Sequence, residues 1–324
     1  MCQALSQTQS RLQMAELVAA GYSLEAFDAV AGRGGLMRPM PSGTFRVNEV
    51  MLADLRRAAQ GEHASNLGAF LAQGMAAHGN GPAFVVDPVS VDEFSPRARI
   101  SGSALAERHC LSHALNTKAV AKRYAREQDR SYADMRLVIA HLGSGISVSA
   151  HEGGRMVDVN LAGQEGPMST ERAGGLQWMT VANLCFSGRY TPASLYNALF
   201  REGGLYSYLG TKDLREVGRR IGEGDAKAAL ILDAMIYQVA KEIGAMAAAL
   251  NGRVDAVLLT GGLARSEELV ARLRAAVEWI AAVVVYPGED ELQALAEGAL
   301  RVLHGEEDAR ELGAEECVPQ PARV

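Results

Sequence analysis

The apolar residues of this chain recur at two spacings, and the two spacings alternate along the sequence. Short apolar runs bounded by glycine, proline or aspartate are typical of buried strands. They predict strands at Asp28–Ala31, Ala83–Val86, Leu137–Leu142, Ile146–Ala150, Arg155–Val159, Asp255–Thr260 and Val283–Tyr286. Apolar positions three or four residues apart are typical of helices with one buried face. They predict helices at Arg11–Ala20, from near Asn48, and at Ala64–Ala77, Ser112–Gln128, Met235–Leu250 and Glu291–Leu303.

Alternating strands and helices predict an α/β fold with layers of helices on sheets. A length of 324 residues suits two domains of ordinary size. The segment Asp28-Ala29-Val30, followed by Gly34-Gly35-Leu36, is echoed by Asp255-Ala256-Val257, followed by Gly261-Gly262-Leu263. Such an internal repeat favours a duplicated domain.

Composition and charge exclude several classes of function. A net charge of -6 and a pI near 5.7 argue against a nucleic-acid-binding protein, whose affinity for phosphates needs clustered Lys and Arg. The apolar runs are too short to predict a membrane helix, and the polar start of the chain does not resemble a signal peptide, so a cytoplasmic location is expected. The four cysteines contain no Cys-x-x-Cys pair, so neither a zinc site nor a disulfide framework is indicated.

The turn between two of the predicted strands is the strongest chemical signal. Gly143-Ser144-Gly145 leaves backbone N–H groups open to an anion, Ser144 and Ser147 add hydroxyl donors, and His141 adds an imidazole. A plain hairpin turn with a partly buried histidine is the alternative. The chain has no Gly-Lys pair, which excludes a Walker-type phosphate loop, and dinucleotide, hydrolase-elbow and zinc-protease motifs are also missing.

The segment His141-Leu142-Gly143-Ser144-Gly145-Ile146-Ser147 resembles the second phosphate-binding turn of the acetate and butyrate kinases, which belong to the acetate kinase, sugar kinase, Hsp70 and actin superfamily. Further blocks resemble the butyrate kinase branch in the same order. They are Gly32-Arg33-Gly34-Gly35-Leu36, Gly61-Glu62-His63-Ala64-Ser65-Asn66, Val86-Asp87-Pro88, Glu165-Gly166-Pro167, Glu171-Arg172-Ala173-Gly174-Gly175, Thr260-Gly261-Gly262-Leu263-Ala264 and Tyr286-Pro287-Gly288-Glu289-Asp290-Glu291.

The resemblance implies reversible, in-line transfer of the γ-phosphoryl group of ATP to a short-chain carboxylic acid, giving an acyl phosphate and ADP. Arg33 and Arg172 would grip the carboxylate and the migrating phosphoryl group, because a guanidinium offers a planar fork of donors. His63 and His141 would donate to substrate and phosphoryl oxygens, and Asp87 would orient an arginine. A surface ion pair is the alternative for either arginine, and a turn before Pro88 is the alternative for Asp87.

The same resemblance implies the nucleotide and metal sites. Gly143, Ser144, Gly145 and Ser147 would hold phosphates, and Gly261, Gly262 and Leu263 would lie against adenosine and its phosphates at a helix N-terminus. Glu289 or Glu291 would help to bind Mg²⁺, with Asp290 leaving the assignment open. A packing turn is the alternative for the glycines, and an acidic helix cap is the alternative for the glutamates.

The implied architecture has two ribonuclease H-like, actin-like ATPase domains, residues 1–133 and 134–311, with a flexible tail at 312–324. Butyrate kinases begin with a strand and an Asn-Pro-Gly-Ser-type turn that this chain lacks before Arg11, so a truncated first domain is expected. A nucleotide-binding pseudo-enzyme and an acetate or propionate kinase are therefore rival hypotheses. The expected partners are a short-chain fatty acid, its acyl phosphate and other copies of the chain in a homodimer or larger oligomer, with no nucleic acid and no membrane.

Overall fold

The structure is a computed structural model that describes residue 12 and residues 14–313. It divides into two compact units. Unit 1 contains the described residues up to 93, Ile100–Lys118 and the chain from Asp290 on, and unit 2 contains Phe94–Arg99 and Ala119–Glu289. The chain thus returns to unit 1 at its C-terminal end, whereas the sequence assigned residues 134–311 to a single second domain.

Unit 1 is built on a four-stranded sheet in the order β1-β3-β2-β9. Strands β1 and β3 are parallel, β2 is antiparallel to β3, and β9 is parallel to β2. Its strands and helices are α1 (residues 14–19), β1 (Val30–Arg33), β2 (Thr44–Arg46), α2 (Glu49–Arg57), α3 (Gly68–Ala76), β3 (Ala83–Val86), the first five residues of α5 (Ala114–Glu127), α12 (Glu291–Leu303) and β9 (Arg310–Glu311).

A helix cap and close backbone packing position the helices of unit 1. Asn48 caps α2 because its side chain accepts from the N–H of Met51 at 3.0 Å. Helix α3 lies so close to β1 that a Cβ atom on Gly68 would come within 2.1 Å of the carbonyl oxygen of Arg33. At the other end, the side chain of Leu312 is buried in the unit 1 core, so the ordered chain continues past the predicted start of the tail. The rest of the predicted tail, residues 314–324, lies outside the described residues.

Helix α12 packs on unit 1 through a small residue. A Cβ atom on Gly298 would come within 2.5 Å of a methyl group of Val86, and the Gly298 carbonyl accepts from the Thr44 hydroxyl at 3.2 Å. This close contact explains why the last helix belongs to unit 1. Sequence spacing predicted the helix correctly, but the contact that assigns it to a unit joins residues more than 200 positions apart.

Unit 2 is built on a five-stranded sheet in the order β6-β5-β4-β7-β8. The hairpin strands β4, β5 and β6 are antiparallel, and β4, β7 and β8 are parallel. Its strands and helices are α4 (Pro96–Arg99), the remainder of α5, β4 (Arg136–Leu142), β5 (Ile146–Glu152), β6 (Arg155–Val159), α6 (Trp178–Cys185), α7 (Pro192–Phe200), α8 (Gly204–Leu209), α9 (Leu214–Gly222), α10 (Ala226–Ala249), β7 (Ala256–Gly261), α11 (Glu267–Val277) and β8 (Val283–Pro287).

Both faces of the unit 2 sheet are buried. Alternate residues of β4 point to opposite faces of the sheet, and each set packs in a core cluster. Val138, Ala140 and Leu142 face a large cluster that includes α10 and α11. Leu137 and Ile139 face a second cluster formed with α5. His141 follows in this second alternation, at the end of the strand. The predicted apolar stripe of Met235–Leu250 is confirmed as the buried side of α10.

Most predicted strands and helices are confirmed to within a few residues. The predictions did not include strands β2 and β9 or helices α4, α6, α7, α8, α9 and α11. No residue of α6 or α7 is buried. Among the described residues, none of the helices combines the length and the apolar character that a membrane crossing requires.

Candidate active site

One end of the unit 2 sheet gathers the predicted phosphate-binding residues. Strands β4 and β7 are parallel neighbours, so their C-terminal ends meet at the same edge. His141 lies opposite Ser147 of β5 and opposite Thr260 of β7. Because residues opposite each other share a face of the sheet, these three side chains form one polar row, and all three are buried. The row ends at the two glycine turns that follow β4 and β7.

The first glycine turn, residues 143–145, connects β4 to β5 as predicted. The imidazole of His141 lies against it, since a Cβ atom on Gly143 would come within 3.1 Å of His141 Nε2. The same nitrogen lies 3.5 Å from a carboxylate oxygen of Glu289, which follows β8. His141 therefore links the turn to an acidic, half-exposed side chain at the same edge.

The second glycine turn begins at the end of β7. Gly261 has a φ of +91°, and a Cβ atom on it would come within 2.4 Å of the carbonyl oxygen of Leu142, so only glycine fits between the two strand ends. Its N–H and carbonyl exchange hydrogen bonds with Gly288 at 2.9 and 3.0 Å. Gly262 is exposed and no atom lies within 4 Å of its built Cβ, which leaves its backbone open to a ligand. Leu263 is half-buried and packs on the core.

Arg172 lies across the first glycine turn. A Cβ atom on Gly145 would come within 2.3 Å of Arg172 Nη1. The guanidinium stacks on the ring of Phe200, with 4.3 Å between its central carbon and the ring centroid. Its neighbour Glu171 is paired with Lys212 instead, at 2.5 Å. The backbone of the first glycine turn on one side and an aromatic ring on the other thus hold this cation in place.

The guanidinium of Arg172 is not satisfied by the protein. Within the part of the chain that the structure describes, its Nε is the one buried side-chain nitrogen or oxygen without a hydrogen-bond partner. Nη1 reaches the carbonyl of Ala162 only at 3.5 Å. Burial lowers the pKa of this guanidinium, which remains charged at neutral pH because the usual pKa of arginine is far higher. A partly buried cation whose buried Nε is unused as a donor is the arrangement expected of an anion-binding site.

The backbone around Arg172 is fixed by bonds that sequence reasoning did not anticipate. The hydroxyl of Ser169 donates to the carbonyl of Ser144 and accepts from the N–H of Arg172 at 3.1 Å. The N–H of Ala173 donates to the carbonyl of Leu199 at 2.8 Å. Ser169 and Phe200 are therefore parts of the site that the sequence analysis missed. The contact of Phe200 with Arg172 and the bond of Ser169 to Ser144 join residues that are distant along the chain, so the local sequence does not signal them.

Arg33 lies at the end of β1 in unit 1, and its environment differs. Its guanidinium forms an ion pair with Glu291 at 3.1 Å, and about half of its side chain is exposed. The surface ion pair weighed as the alternative for Arg33 is thus the geometry that the structure gives. The predicted carboxylate-binding residue and one of the two predicted metal ligands neutralise each other here.

His63 begins the short 3-10 helix Ala64–Leu67. Its Nδ1 accepts from the N–H of Ser65 at 3.2 Å and lies 2.7 Å from the hydroxyl of the same residue. Because a backbone N–H can only donate, Nδ1 is the unprotonated nitrogen of the neutral ring, and Nε2 carries the proton. The predicted donor role would therefore fall to Nε2.

Asp87 is buried at the end of β3, immediately before Pro88. One carboxylate oxygen accepts from the hydroxyl of Ser42 at 2.6 Å and from the N–H of Gly43 at 2.8 Å. Its backbone φ of +37° is rare for a residue with a side chain and costs of order 1–3 kcal/mol. Backbone strain of this kind collects at functional sites. The bonds to Ser42 and Gly43 hold the carboxylate, and the proposed role and the turn before Pro88 both stay predictions.

Among the described residues, no group of three or more His, Cys, Asp or Glu side chains could enclose a metal ion. Glu289 lies in unit 2 beside His141, whereas Glu291 lies in unit 1 beside Arg33. Mg²⁺ bound to a nucleotide needs only one or two carboxylates, since phosphates and water supply its other ligands. The half-exposed carboxylate of Glu289, at the edge that carries both glycine turns, fits that mode of binding.

The profile of the "Acetokinase family" matches residues 105–286, more than half of the chain. The chain belongs to the acetokinase family. The matched acetokinase segment contains His141, both glycine turns and Arg172, whereas Arg33, His63, Asp87, Glu289 and Glu291 lie outside it.

Solved structures resemble the chain as well. An acetate kinase from Porphyromonas gingivalis is 22% identical and superposes with a TM-score of 0.75, covering 87% of this chain and 79% of that protein. A propionate kinase from Francisella tularensis has 18% identity and a TM-score of 0.71, covering 89% and 82%. An acetate kinase from Entamoeba histolytica has 16% identity and a TM-score of 0.75, covering 91% and 86%. The acetokinase fold is thus confirmed as α/β with two actin-like ATPase domains.

Proposed function

We propose that this protein transfers the γ-phosphoryl group of ATP directly and reversibly to a short-chain carboxylic acid, butyrate or a branched analogue, giving an acyl phosphate and ADP. Membership of the acetokinase family supports ATP-dependent phosphorylation of a carboxylate. The observation that carries the proposal is the partly buried guanidinium of Arg172, which lies on Gly145 and whose buried Nε is an unused donor.

Energetics favour a ligand role for Arg172. Leaving a buried donor unsatisfied costs about 1–3 kcal/mol, and more for a charged group. Stacking of the guanidinium on Phe200 offsets only about 0.5–2 kcal/mol of this cost. A bound anion would complete the hydrogen bonds of Arg172, which explains why an arginine that destabilises the unliganded protein is present. The planar fork of donors suits a carboxylate or a phosphoryl group.

The neighbouring groups have roles that fit phosphoryl transfer. The backbone of residues 143–145, with Ser144, would hold the nucleotide phosphates, and the open backbone at Gly262 would lie against the nucleotide. His141 would donate from its imidazole to the charge that develops on the transferred oxygens. Mg²⁺, held in part by Glu289, would neutralise phosphate charge while it is bound.

The residues of unit 1 complete the proposal. Nε2 of His63 would donate to a carboxylate or phosphoryl oxygen, and Asp87, held by Ser42 and Gly43, would orient an arginine. Arg33 would bind the acid by exchanging its ion pair with Glu291 for the substrate carboxylate. We further propose that the protein works in the cytoplasm.

A direct assay of acyl phosphate formation tests the function. Purified full-length protein with ATP and Mg²⁺ is supplied with acetate, propionate, butyrate, isobutyrate and isovalerate, and the acyl phosphate is trapped with hydroxylamine. We expect the highest kcat/KM for a four- or five-carbon acid. A preference for acetate or propionate would replace the proposed substrate, because the acetate and propionate kinases share the fold. If calorimetry shows that ATP binds but no acid gives an acyl phosphate, the protein is a nucleotide-binding protein and not a kinase.

A further inference from the structure

Strand β5 begins beside the first glycine turn and extends past the end of its outer neighbour, β6. The two strands pair as far as Ser149 and Val159, so the backbone of residues 146–148 lies beyond the last residue of β6. Ser147, in the middle of this segment, belongs to the polar row of the site. A strand edge without a neighbour leaves N–H and carbonyl groups in need of partners. The side chain of Asn160, the residue that follows β6, supplies these partners.

Asn160 is 1% exposed and binds the backbone on both sides of Ser147. Its Oδ1 accepts from the N–H of Val148 at 2.6 Å, and its Nδ2 donates to the carbonyl of Ile146 at 3.0 Å. Its own backbone N–H donates to the carbonyl of Val148 at 3.4 Å. The side-chain oxygen thus replaces the main-chain carbonyl that a paired antiparallel strand would supply. These three hydrogen bonds are here called the Asn160 clasp.

The clasp depends on the chemistry of an amide and not only on its size. An amide has an acceptor and a donor side by side, which matches the N–H of Val148 and the carbonyl of Ile146. An ionised aspartate has the same shape but only accepts, so it would leave the carbonyl of Ile146 facing another acceptor. Because an unsatisfied buried polar group is costly, each end of the amide contributes to holding the start of β5.

The same amide supports the loop that carries Arg172. Gly166 has a φ of +65°, and a Cβ atom on it would come within 2.7 Å of Asn160 Nδ2. The carbonyl of Gly166 accepts from the N–H of Gly175 at 3.0 Å, which closes the loop around Arg172. Earlier in the loop, the carbonyl of Ala162 receives Nη1 of Arg172 at 3.5 Å. Asn160 therefore joins the start of β5 to the loop that carries the partly buried guanidinium.

We propose that Asn160 is a positioning residue of the phosphoryl site, whose clasp holds the first glycine turn and Arg172 at a fixed separation. It acts through the backbone around Ser147 on one side and through the turn at Gly166 on the other. A displacement of about 1 Å within such a site can reduce the rate about 100-fold. The effect on the rate rests on the proposed kinase function, whereas the effect on ATP binding needs no turnover.

Asn160→Asp tests the clasp because it differs from the amide by a single proton. The ionised carboxyl keeps the acceptor for Val148 and loses the donor to Ile146, whereas the protonated carboxyl provides both. Burial raises the pKa of a carboxyl, so protonation is expected within the range of pH at which proteins are assayed. Glu165 and Arg172, the charged side chains nearest to it in the loop, shift this pKa upwards and downwards, respectively.

The measurement is kcat for acyl phosphate formation by the full-length protein between pH 5.5 and pH 8.5, corrected for the folded fraction by circular dichroism. We expect kcat of Asn160→Asp to be about 30-fold below wild type at pH 8.5 and within about threefold at pH 5.5, where the proton restores the donor. A purely structural asparagine would change the folded fraction but not kcat of the folded protein. The dissociation constant of ATP, measured by calorimetry, should rise about tenfold at pH 8.5 and recover at pH 5.5.

Asn48 provides a matched control in unit 1. Its side chain also bridges the backbone, since it accepts from the N–H of Met51 at 3.0 Å and donates to the carbonyl of Leu312 at 3.0 Å. Asn48→Asp removes the same kind of donor at a place outside the clasp. We therefore expect kcat relative to wild type to stay constant over the whole range of pH.

A second variant moves the amide without replacing it, and it tests the proposal even if Asn160→Asp fails to fold at high pH. Gly153 has a φ of +61°, close to that of Gly166, but no atom lies within 4 Å of its built Cβ. Gly166→Ala and Gly153→Ala thus introduce similar backbone strain, and only Gly166→Ala pushes on Asn160. We expect kcat to fall about tenfold in Gly166→Ala at every pH and to stay constant in Gly153→Ala.

Several results would overturn the proposal. The clasp is rejected by wild-type kcat and ATP affinity in Asn160→Asp at every pH, by a loss that does not recover at low pH, by an equal loss of kcat in Asn48→Asp, or by equal losses in the two alanine variants. A wild type that binds ATP but forms no acyl phosphate rejects the kinase function, and the ATP affinity of Asn160→Asp then decides the clasp alone. A wild type that neither binds ATP nor forms acyl phosphate rejects both.

Discussion

Two arginines with the same proposed role occupy opposite kinds of environment. Arg172 in unit 2 is partly buried against Phe200, and its buried Nε has no hydrogen-bond partner. Arg33 in unit 1 is half exposed and neutralised by Glu291. In sequence the two look alike, since each has at least two glycines within three residues. Neighbouring glycines therefore indicate that there is space around an arginine, but they do not indicate which group fills that space.

The two arginines also differ in what they contribute to the free energy of folding. An exposed ion pair such as Arg33–Glu291 contributes about 0–1 kcal/mol to folding, so exchanging Glu291 for a substrate costs little. A buried and unsatisfied guanidinium destabilises the free protein, so an anion that binds it gains the missing hydrogen bonds. Arg172 is therefore expected to contribute more to phosphoryl transfer than Arg33.

The largest expected effect is the loss of Arg172. Arg172→Met keeps the apolar stem and removes the charge and every donor, so we expect kcat/KM for acyl phosphate formation to fall about 100- to 1000-fold. Arg172→Lys should recover only a small part, because a lysine lacks the planar fork. Arg215→Met, which changes an exposed arginine of the same unit, is the control and should leave the rate unchanged. Equal rates in Arg172→Met and wild type would reject the proposed role.

A second test moves Arg172 without removing it. A Cβ atom in Gly145→Ala would collide with Nη1, the mobile end of the side chain, so the arginine must shift while the backbone stays in place. We expect a 10- to 100-fold loss of kcat/KM with a change of less than about 1 kcal/mol in the free energy of unfolding. The control is Gly218→Ala in α9, where no atom lies within 4 Å of the new Cβ. A variant with full activity would show that the position of Arg172 does not matter.

Arg33 should respond more weakly. We expect Arg33→Met to raise KM for the acid about tenfold, with kcat reduced less, and to change the free energy of unfolding by less than about 1 kcal/mol because the ion pair is exposed. Glu291→Gln removes only the competing carboxylate, so KM for the acid should fall or stay constant. Steady-state kinetics with varied acid distinguish these outcomes. A larger loss in Arg33→Met than in Arg172→Met would reverse the ranking of the two arginines.

The smallest expected effect concerns Arg130, an arginine whose charge is already paired, with Asp255. Arg130 donates to Asp255 at 3.0 Å, and the N–H of Arg136 donates to the same carboxyl at 2.6 Å. Burial alone raises the pKa of Asp255, but these hydrogen bonds outweigh it and hold the pKa below its usual range. The stabilisation is therefore present above about pH 4 and lost as the pH falls through the lowered pKa.

Asp255→Asn tests this third case by urea unfolding between pH 2.5 and 7. We expect the variant to be less stable by about 1 kcal/mol at pH 7 and the difference to vanish near pH 2.5, with no change in kcat at pH 7. A difference that persists at low pH would assign the loss to packing. A change in kcat would connect Asp255, at the opposite end of β7 from Gly261, to the site.

Local patterns explain what could be predicted from the sequence. The hairpin of β4 and β5, the turn at residues 143–145 and the stripe of α10 depend on neighbours within a few positions, and all were predicted. The contacts of Phe200, Ser169 and Gly298 join distant parts of the chain and give no local signal. Helices α6 and α7 were missed because they span only eight and nine residues, which is too short for a helical period to be distinguished from a short apolar run.

The stability of Arg172→Met without any ligand shows whether Arg172 serves the fold or an anion. Urea unfolding in phosphate-free and sulfate-free buffer would measure the free energy of unfolding of the variant and of wild type. If Arg172 is kept for an anion and not for the fold, the variant is as stable as wild type or about 1–2 kcal/mol more stable, since a buried unsatisfied charge is replaced by an apolar side chain. A variant that is less stable than wild type by more than about 1 kcal/mol would contradict the account, because Arg172 would then be part of the structure and not a site for a ligand.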